Sequence, residues 1–160
     1  MSSVRSEVVV DAPQDRAFKV FTEKMFTWWP QSHHVGKTEM KAIVLEPRTK
    51  GRWAEIGSDG KETPWGHVLV FDPPRRLVLA WQLDSDWSFN EKLITEVEVN
   101  FTPAGEKRTR VALEHRNLER FGDKEEQVRK SVGSEGGWPL LLNRFAAVCN
   151  SANVVASKTA

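Results

Sequence analysis

The side chains that could do chemistry in this chain are few, and each has a plainer reading beside the functional one. In TRVALEH, residues 109–115, alternation puts His115 on one strand face with Thr109, Val111 and Leu113. In LITEVEVNF, residues 93–101, it puts Thr95 with Val97, Val99 and Phe101. A histidine and a hydroxyl on apolar strand faces can orient a ligand inside an otherwise apolar cavity. Equally, His115 can be a buried ring bonded to a neighbour, or a strand end at a rim. His67 shares an expected face with Trp65, Leu69 and Phe71 and would join His115 there. Glu55 shares a face with Trp53, where a carboxylate beside an indole could serve as acid or base; the bland alternative is a solvated strand residue.

His33-His34 with Glu39 nearby suggests metal, but adjacent histidines diverge and no spacing matches a structural zinc pattern. Cys149 falls on an apolar helical stripe with no histidine close in sequence, which reads as a buried thiol rather than a nucleophile. There is no Gly-x-Ser-x-Gly, no phosphate-binding glycine loop and no His-Glu-x-x-His. No catalytic residue, metal site or cofactor is therefore assigned, and the reading leans toward binding rather than catalysis.

Elements must position these groups, and the clearest is a helix over residues 136–152. Its apolar residues Trp138, Leu141, Leu142, Phe145, Val148, Cys149 and Ala152 recur at helical spacing. Pro139 fits only a first turn, so the regular helix should begin near Trp138, with Gly136-Gly137 as its approach and fraying after Ala152. Before it come mostly strands: residues 4–10, 40–46, 51–57, 62–71, 77–83 and the alternating pair 95–101 and 109–115. Two short helices follow the first strand, at 13–22 behind an Asp11 cap and at 23–29 before Pro30. A short polar helix at 124–132 follows a capping box of Asp123 and Glu126. One wet and one apolar strand face describe an antiparallel sheet covered on one side, and the long helix is the cover.

The chain has 160 residues, sized for a single domain (1–160, ordered core about 4–152). A net charge of +1, from 23 basic and 22 acidic residues, gives no electrostatic case for nucleic acid or an anionic membrane. Arg5, Lys41, Arg48, Arg52, Arg75, Arg76 and Arg110 read as solvated surface. A lone cysteine permits no intrachain disulfide, no apolar run reaches the roughly 20 residues of a membrane span, and the N-terminal apolar run is too short for a secretory signal. Together these make the cytoplasm the expected location, with no membrane insertion. Seven tryptophans against no tyrosine are more than one small core needs. Trp28, Trp29, and Trp87 with Phe89, placed in loops or at helix ends, would form a gate or a partner surface, or simply pack locally.

The segments Asp11-Ala12-Pro13-Gln14-Asp15-Arg16-Ala17-Phe18, Trp65-Gly66-His67-Val68-Leu69, Phe71-Asp72-Pro73-Pro74-Arg75-Arg76-Leu77 through Trp81, and Glu135-Gly136-Gly137-Trp138 carry a resemblance. The chain resembles the SRPBCC (START-like, helix-grip) superfamily, and within it the family named for homology to the activator of the heat-shock-protein-90 ATPase. The likeness implies an α+β helix-grip fold: a curved antiparallel sheet of about seven strands around a long C-terminal helix, enclosing a cavity used for apolar ligands. On that implied cavity, Trp53, Trp65, Trp81, Val97, Val99, Leu113 and Trp138 would supply apolar contact, with Leu142 and Phe145 along one wall. His67, His115, Glu55 and Thr95 would orient the ligand. The expected function is binding of a small apolar or aromatic molecule. The alternatives are a protein-interaction, co-chaperone-like module, with a protein partner, or an enzyme such as a cyclase, dehydratase or hydrolase acting on the bound ligand.

Overall fold

The computed structural model describes residues 2–159, with side chains for residues 2–151. Strand β1 (Ser3–Val10) leads into helices α1 (Gln14–Glu23) and α2 (Met25–Trp28). Strands β2 (Met40–Leu45), β3 (Arg52–Gly57), β4 (Glu62–Asp72), β5 (Arg76–Trp81), β6 (Thr95–Pro103) and β7 (Thr109–Arg116) follow. Helices α3 (Glu125–Gly133) and α4 (Trp138–Thr159) close the chain. The seven strands form one sheet in the order β1-β7-β6-β5-β4-β3-β2, every neighbour antiparallel. This is the curved sheet and long C-terminal helix of the helix-grip fold.

Register fixes the faces. Leu77, Leu79 and Trp81 on β5 lie opposite Val99, Val97 and Thr95 on β6, and the β6 residues Val97, Val99 and Phe101 lie opposite His115, Leu113 and Val111 on β7. All of these are buried and together make the concave floor. The alternate residues form an ionic ladder on the other face: Arg116 pairs with Glu96 at 2.8 Å and with Glu98, which Arg76 also meets. Partial burial works against the Glu98 carboxylate, but hydrogen bonds from Arg116 and Arg76 prevail and hold it below its ordinary range.

Helices α1, α2 and α4 lie over the floor. Phe18 meets Phe71 and Phe101 edge-on at 5.3 and 5.1 Å, and Phe21 meets Phe145 of α4 at 5.3 Å. Each such buried phenylalanine contributes on the order of 1.5–3 kcal/mol through burial, so this cluster anchors α4 to the sheet. Two expected caps are absent. Pro13, in extended backbone, takes the N-cap position of α1 with no side-chain hydrogen bond, which leaves Asp11 two residues too early; its carboxylate lies 3.4 Å from Arg108 instead. Asp123 does not cap α3 because residues Leu118–Lys124 are wound into a 3-10 turn and Lys124 precedes the helix. Strand β5 ends at Trp81, two residues earlier than expected, and Leu83 joins only a bridge to Phe89. The helical backbone of α4 is described to Thr159, and the side chain of Ala152 lies outside the described residues.

Strand β4 departs from simple alternation, and this matters for the site. Trp53 and Ala54 of β3 pair with Gly66 and Pro64, so Trp65 is the extra residue of a β-bulge. Trp65 therefore turns inward beside Gly66, and His67, opposite Ala80 and Arg52, turns outward. Gly66 pairs with Trp53 on one side and Trp81 on the other. The two indoles lie 5.9 Å apart, and the missing side chain at Gly66 leaves room for the Ala80 carbonyl oxygen of β5, which a Cβ would meet at 1.7 Å.

Candidate functional site

All seven tryptophans join one aromatic cluster. Trp29 is its hub, with ring centroids 5.8 Å from Trp28, 4.8 Å from Trp65, 6.3 Å from Trp53 and 6.1 Å from Trp138. Trp81 extends it to Trp138 at 5.6 Å and to Trp87 at 6.2 Å. Where this cluster reaches the surface there is a pocket of about 270 Å³. Its walls are Trp29, Trp65, Trp81, Trp87 and Trp138, with Leu83, Val132 and Leu141. Ser32, His33, His34 and Val35 from the loop between α2 and β2 form one lip, and Gly136-Gly137 before α4 the other.

A buried polar relay ties the Trp138 indole to the backbone of Trp81. The Trp138 Nε1–H donates to His115 Nδ1 at 3.1 Å. Because indole nitrogen only donates, Nδ1 must be the acceptor, and the neutral ring carries its proton on Nε2. That Nε2–H donates to Thr95 Oγ1 at 2.8 Å, and the Thr95 hydroxyl points to the Trp81 carbonyl oxygen at 3.4 Å. His115 and Thr95 are fully buried. Burial disfavours the imidazolium and pulls the His115 pKa down to about 3. His115 is thus a neutral hydrogen-bonding bridge between α4 and the sheet.

Glu55 is also fully buried, on the face expected from Trp53, and is not a solvated strand residue. Its Oε1 accepts the Val35 N–H at 2.5 Å and the Trp65 Nε1–H at 2.9 Å, so one carboxylate oxygen ties a pocket wall to the pocket lip. Its Oε2 is buried without a hydrogen-bond partner among the described residues. Trp29 is fixed by donation from Nε1 to the His33 carbonyl at 2.9 Å. His33 Nε2 in turn lies 2.8 Å from the Gly136 carbonyl, which joins the two lips.

Of the residues expected to contact a ligand, Trp65, Trp81 and Trp138 line this pocket. Trp53, Val97, Val99, Leu113, Leu142 and Phe145 are at most 2% exposed and belong to the close-packed core below it, with Thr95, His115 and Glu55 behind the walls. His67 does not join them: on the outer face its Nδ1 lies 2.7 Å from Gln82 Oε1. The expected rim gains Trp29 and Trp87, whereas Trp28 is buried with its N–H on the Val20 carbonyl. Sequence reasoning missed Ser32, His33, His34 and Val35 as a lip, having weighed the histidines only against metal. The proline that stops α2 just after Trp29 was the available signal that this loop starts at a tryptophan. Cys149 is buried, and burial pushes its thiol up to about 12, leaving it inert at neutral pH. No described helix is long and apolar enough to cross a membrane.

The sequence model of the family described as "Activator of Hsp90 ATPase homolog 1-like protein" matches residues 11–150. The chain belongs to this family. It is similar to an anthrahydroquino-gamma-pyrone synthase, Txn09, solved in complex with SUM, at 38% identity over 92% of this chain and 97% of that one, with a TM-score of 0.66. It is also similar to CalC, a self-sacrificing resistance protein from Micromonospora echinospora, at 32% identity over 94% and 95% of the two chains, TM-score 0.66. The Aha1 dimer from Colwellia psychrerythraea, at 13% identity over 94% and 97% and a TM-score of 0.62, shares the fold. No curated protein sequence matches the chain.

Proposed function

We propose that the protein binds a flat, polycyclic aromatic small molecule in the tryptophan-walled pocket. The observation that carries this reading is that five of the seven tryptophans line one opening of about 270 Å³. That volume is near the lower end of small-molecule sites, which run from about 300 to 1,000 Å³. Burying about 200 Å² of an aromatic ligand contributes roughly 5 kcal/mol, and each indole stacked on it adds about 0.5–1.5 kcal/mol. After ordering costs this supports micromolar affinity without covalent chemistry. The 38% identity to a synthase named for an anthrahydroquino-gamma-pyrone favours the same ligand class.

A second reading, catalysis on the bound aromatic, is favoured by that same synthase. A protein-docking surface draws less support, because the exposed large apolar side chains among the described residues, Trp87 and Phe89, sit together on the loop beside the pocket. The test is a titration of tryptophan emission with anthraquinone-2-sulfonate. The expected result is saturable quenching at one site per chain. Absence of saturable quenching up to millimolar ligand overturns the proposal.

A further inference from the structure

The two adjacent histidines of the pocket lip, when neutral, take opposite tautomers. A backbone carbonyl can only accept, so a neutral ring nitrogen facing one must carry the proton. His33 Nε2 lies 2.8 Å from the Gly136 carbonyl and therefore donates; its Nδ1, 3.0 Å from Ser32 Oγ, accepts from that hydroxyl. Both His33 nitrogens are committed. His34 is the reverse: Nδ1 lies 2.8 Å from the Gly36 carbonyl and donates to it. The lone pair then sits on Nε2, and no donor among the described residues reaches it. His34 is exposed and lines the pocket.

The indoles divide in the same way. The N–H groups of Trp29, Trp65 and Trp138 are spent on the His33 carbonyl, Glu55 Oε1 and His115 Nδ1. No group among the described residues accepts the Trp81 Nε1–H. It is also not one of the fully buried polar atoms left without a partner, so it reaches accessible space, and Trp81 lines the pocket. An otherwise apolar wall thus offers a free lone pair on His34 and a free donor set into the wall itself on Trp81, while the Trp87 N–H, also without an acceptor among the described residues, sits on the more exposed indole of the pocket loop.

We infer that the pocket selects aromatic molecules that carry both a hydroxyl and a carbonyl, the hydroxyl donating to His34 Nε2 and the carbonyl accepting from Trp81 Nε1–H. This rests on the aromatic-binding reading above and names the ligand class within it. A hydroxyquinone or a hydroxyaryl ketone meets both requirements, and a plain polycyclic hydrocarbon meets neither. The discrimination comes from leaving polar groups unpaired when the wrong ligand fills the pocket.

The test compares anthraquinone, 2-hydroxyanthraquinone and 2-methoxyanthraquinone on the wild-type chain and on His34→Phe, which keeps a ring but removes the lone pair. The expected result is that the hydroxy compound binds the wild type about tenfold more tightly than the methoxy compound, and that His34→Phe binds the two equally. If the preference is absent in the wild type, or survives in His34→Phe, the polar assignment is overturned while the pocket reading stands. If none of the three binds the wild type, the pocket reading fails and this inference with it. A parallel comparison of anthraquinone with anthracene on Trp81→Phe checks the donor, and a carbonyl preference that survives that substitution overturns its half of the inference.

Discussion

The buried His115 relay makes the fold sensitive to acid in a pH window where carboxylates are still ionised. In the unfolded chain this imidazole titrates near 6.5, and in the folded chain near 3. As pH falls below 6.5 the unfolded state takes up a proton that the folded state refuses, so the stability present above 6.5 declines steadily down to about pH 3. The slope is about 1.4 kcal/mol per pH unit, and between pH 7 and pH 5 the loss comes to about 2 kcal/mol. For a domain of this size that corresponds to a fall in Tm of roughly 4–8 °C. The groups with lowered carboxyl pKa values, Glu98 among them, lose their contribution only at lower pH, so they do not mask the effect. The assay is urea unfolding at pH 7, 6 and 5 for the wild type and His115→Gln, which cannot titrate. The variant's absolute stability is not the readout; its pH slope is. The wild type should lose about 2 kcal/mol more than the variant over this interval. Equal slopes would show that His115 titrates alike in both states, and the neutral relay between Trp138 and Thr95 would be refuted.

Three other perturbations follow from the geometry. Glu55→Gln keeps an amide oxygen for the Val35 and Trp65 N–H groups and should cost less than about 1 kcal/mol, whereas Glu55→Leu leaves two donors unpaired and should cost about 2 kcal/mol or more by denaturant unfolding. Gly66→Ala would place a Cβ 1.7 Å from the Ala80 carbonyl oxygen, forcing β4 and β5 apart at a cost of about 3 kcal/mol or more, read from the same curves. A Cβ at Gly136 meets no atom within 4 Å, so Gly136→Phe should leave Tm within a few degrees of wild type while weakening anthraquinone-2-sulfonate binding at least tenfold.

Much of the architecture was legible as periodicity. The two-residue alternation of β6 and β7 identified the concave floor residue by residue, and the apolar spacing from Trp138 identified α4. The same alternation failed at β4. The bulge at Trp65 inserts one residue, and a one-residue change of register moves His67 to the opposite face. Nothing in Thr-Pro-Trp-Gly-His announces which residue will be the extra one. The site was legible only in part for a different reason: sequence gives the facing of a side chain but not how far a core closes over it. Val97, Leu113 and Phe145 face inward as expected, yet packing leaves them no opening, and the pocket forms where irregular loops carrying Trp29, His34 and Trp87 meet the Gly-Gly joint before α4. A substitution such as Leu113→Trp, which an open central cavity would tolerate, here overpacks a side chain that is 2% exposed.

The central claim is that the tryptophan-walled pocket, and not the interior beneath it, receives an aromatic ligand. Indole N–H resonances of the 15N-labelled protein test it most directly, since each of the seven tryptophans reports separately. On adding anthraquinone-2-sulfonate, the signals of Trp81 and Trp87 at the pocket should shift in a saturable way. The signal of Trp28, buried with its N–H on the Val20 carbonyl, should stay in place. A spectrum that does not change, or one in which Trp28 moves as far as Trp81, would contradict the account.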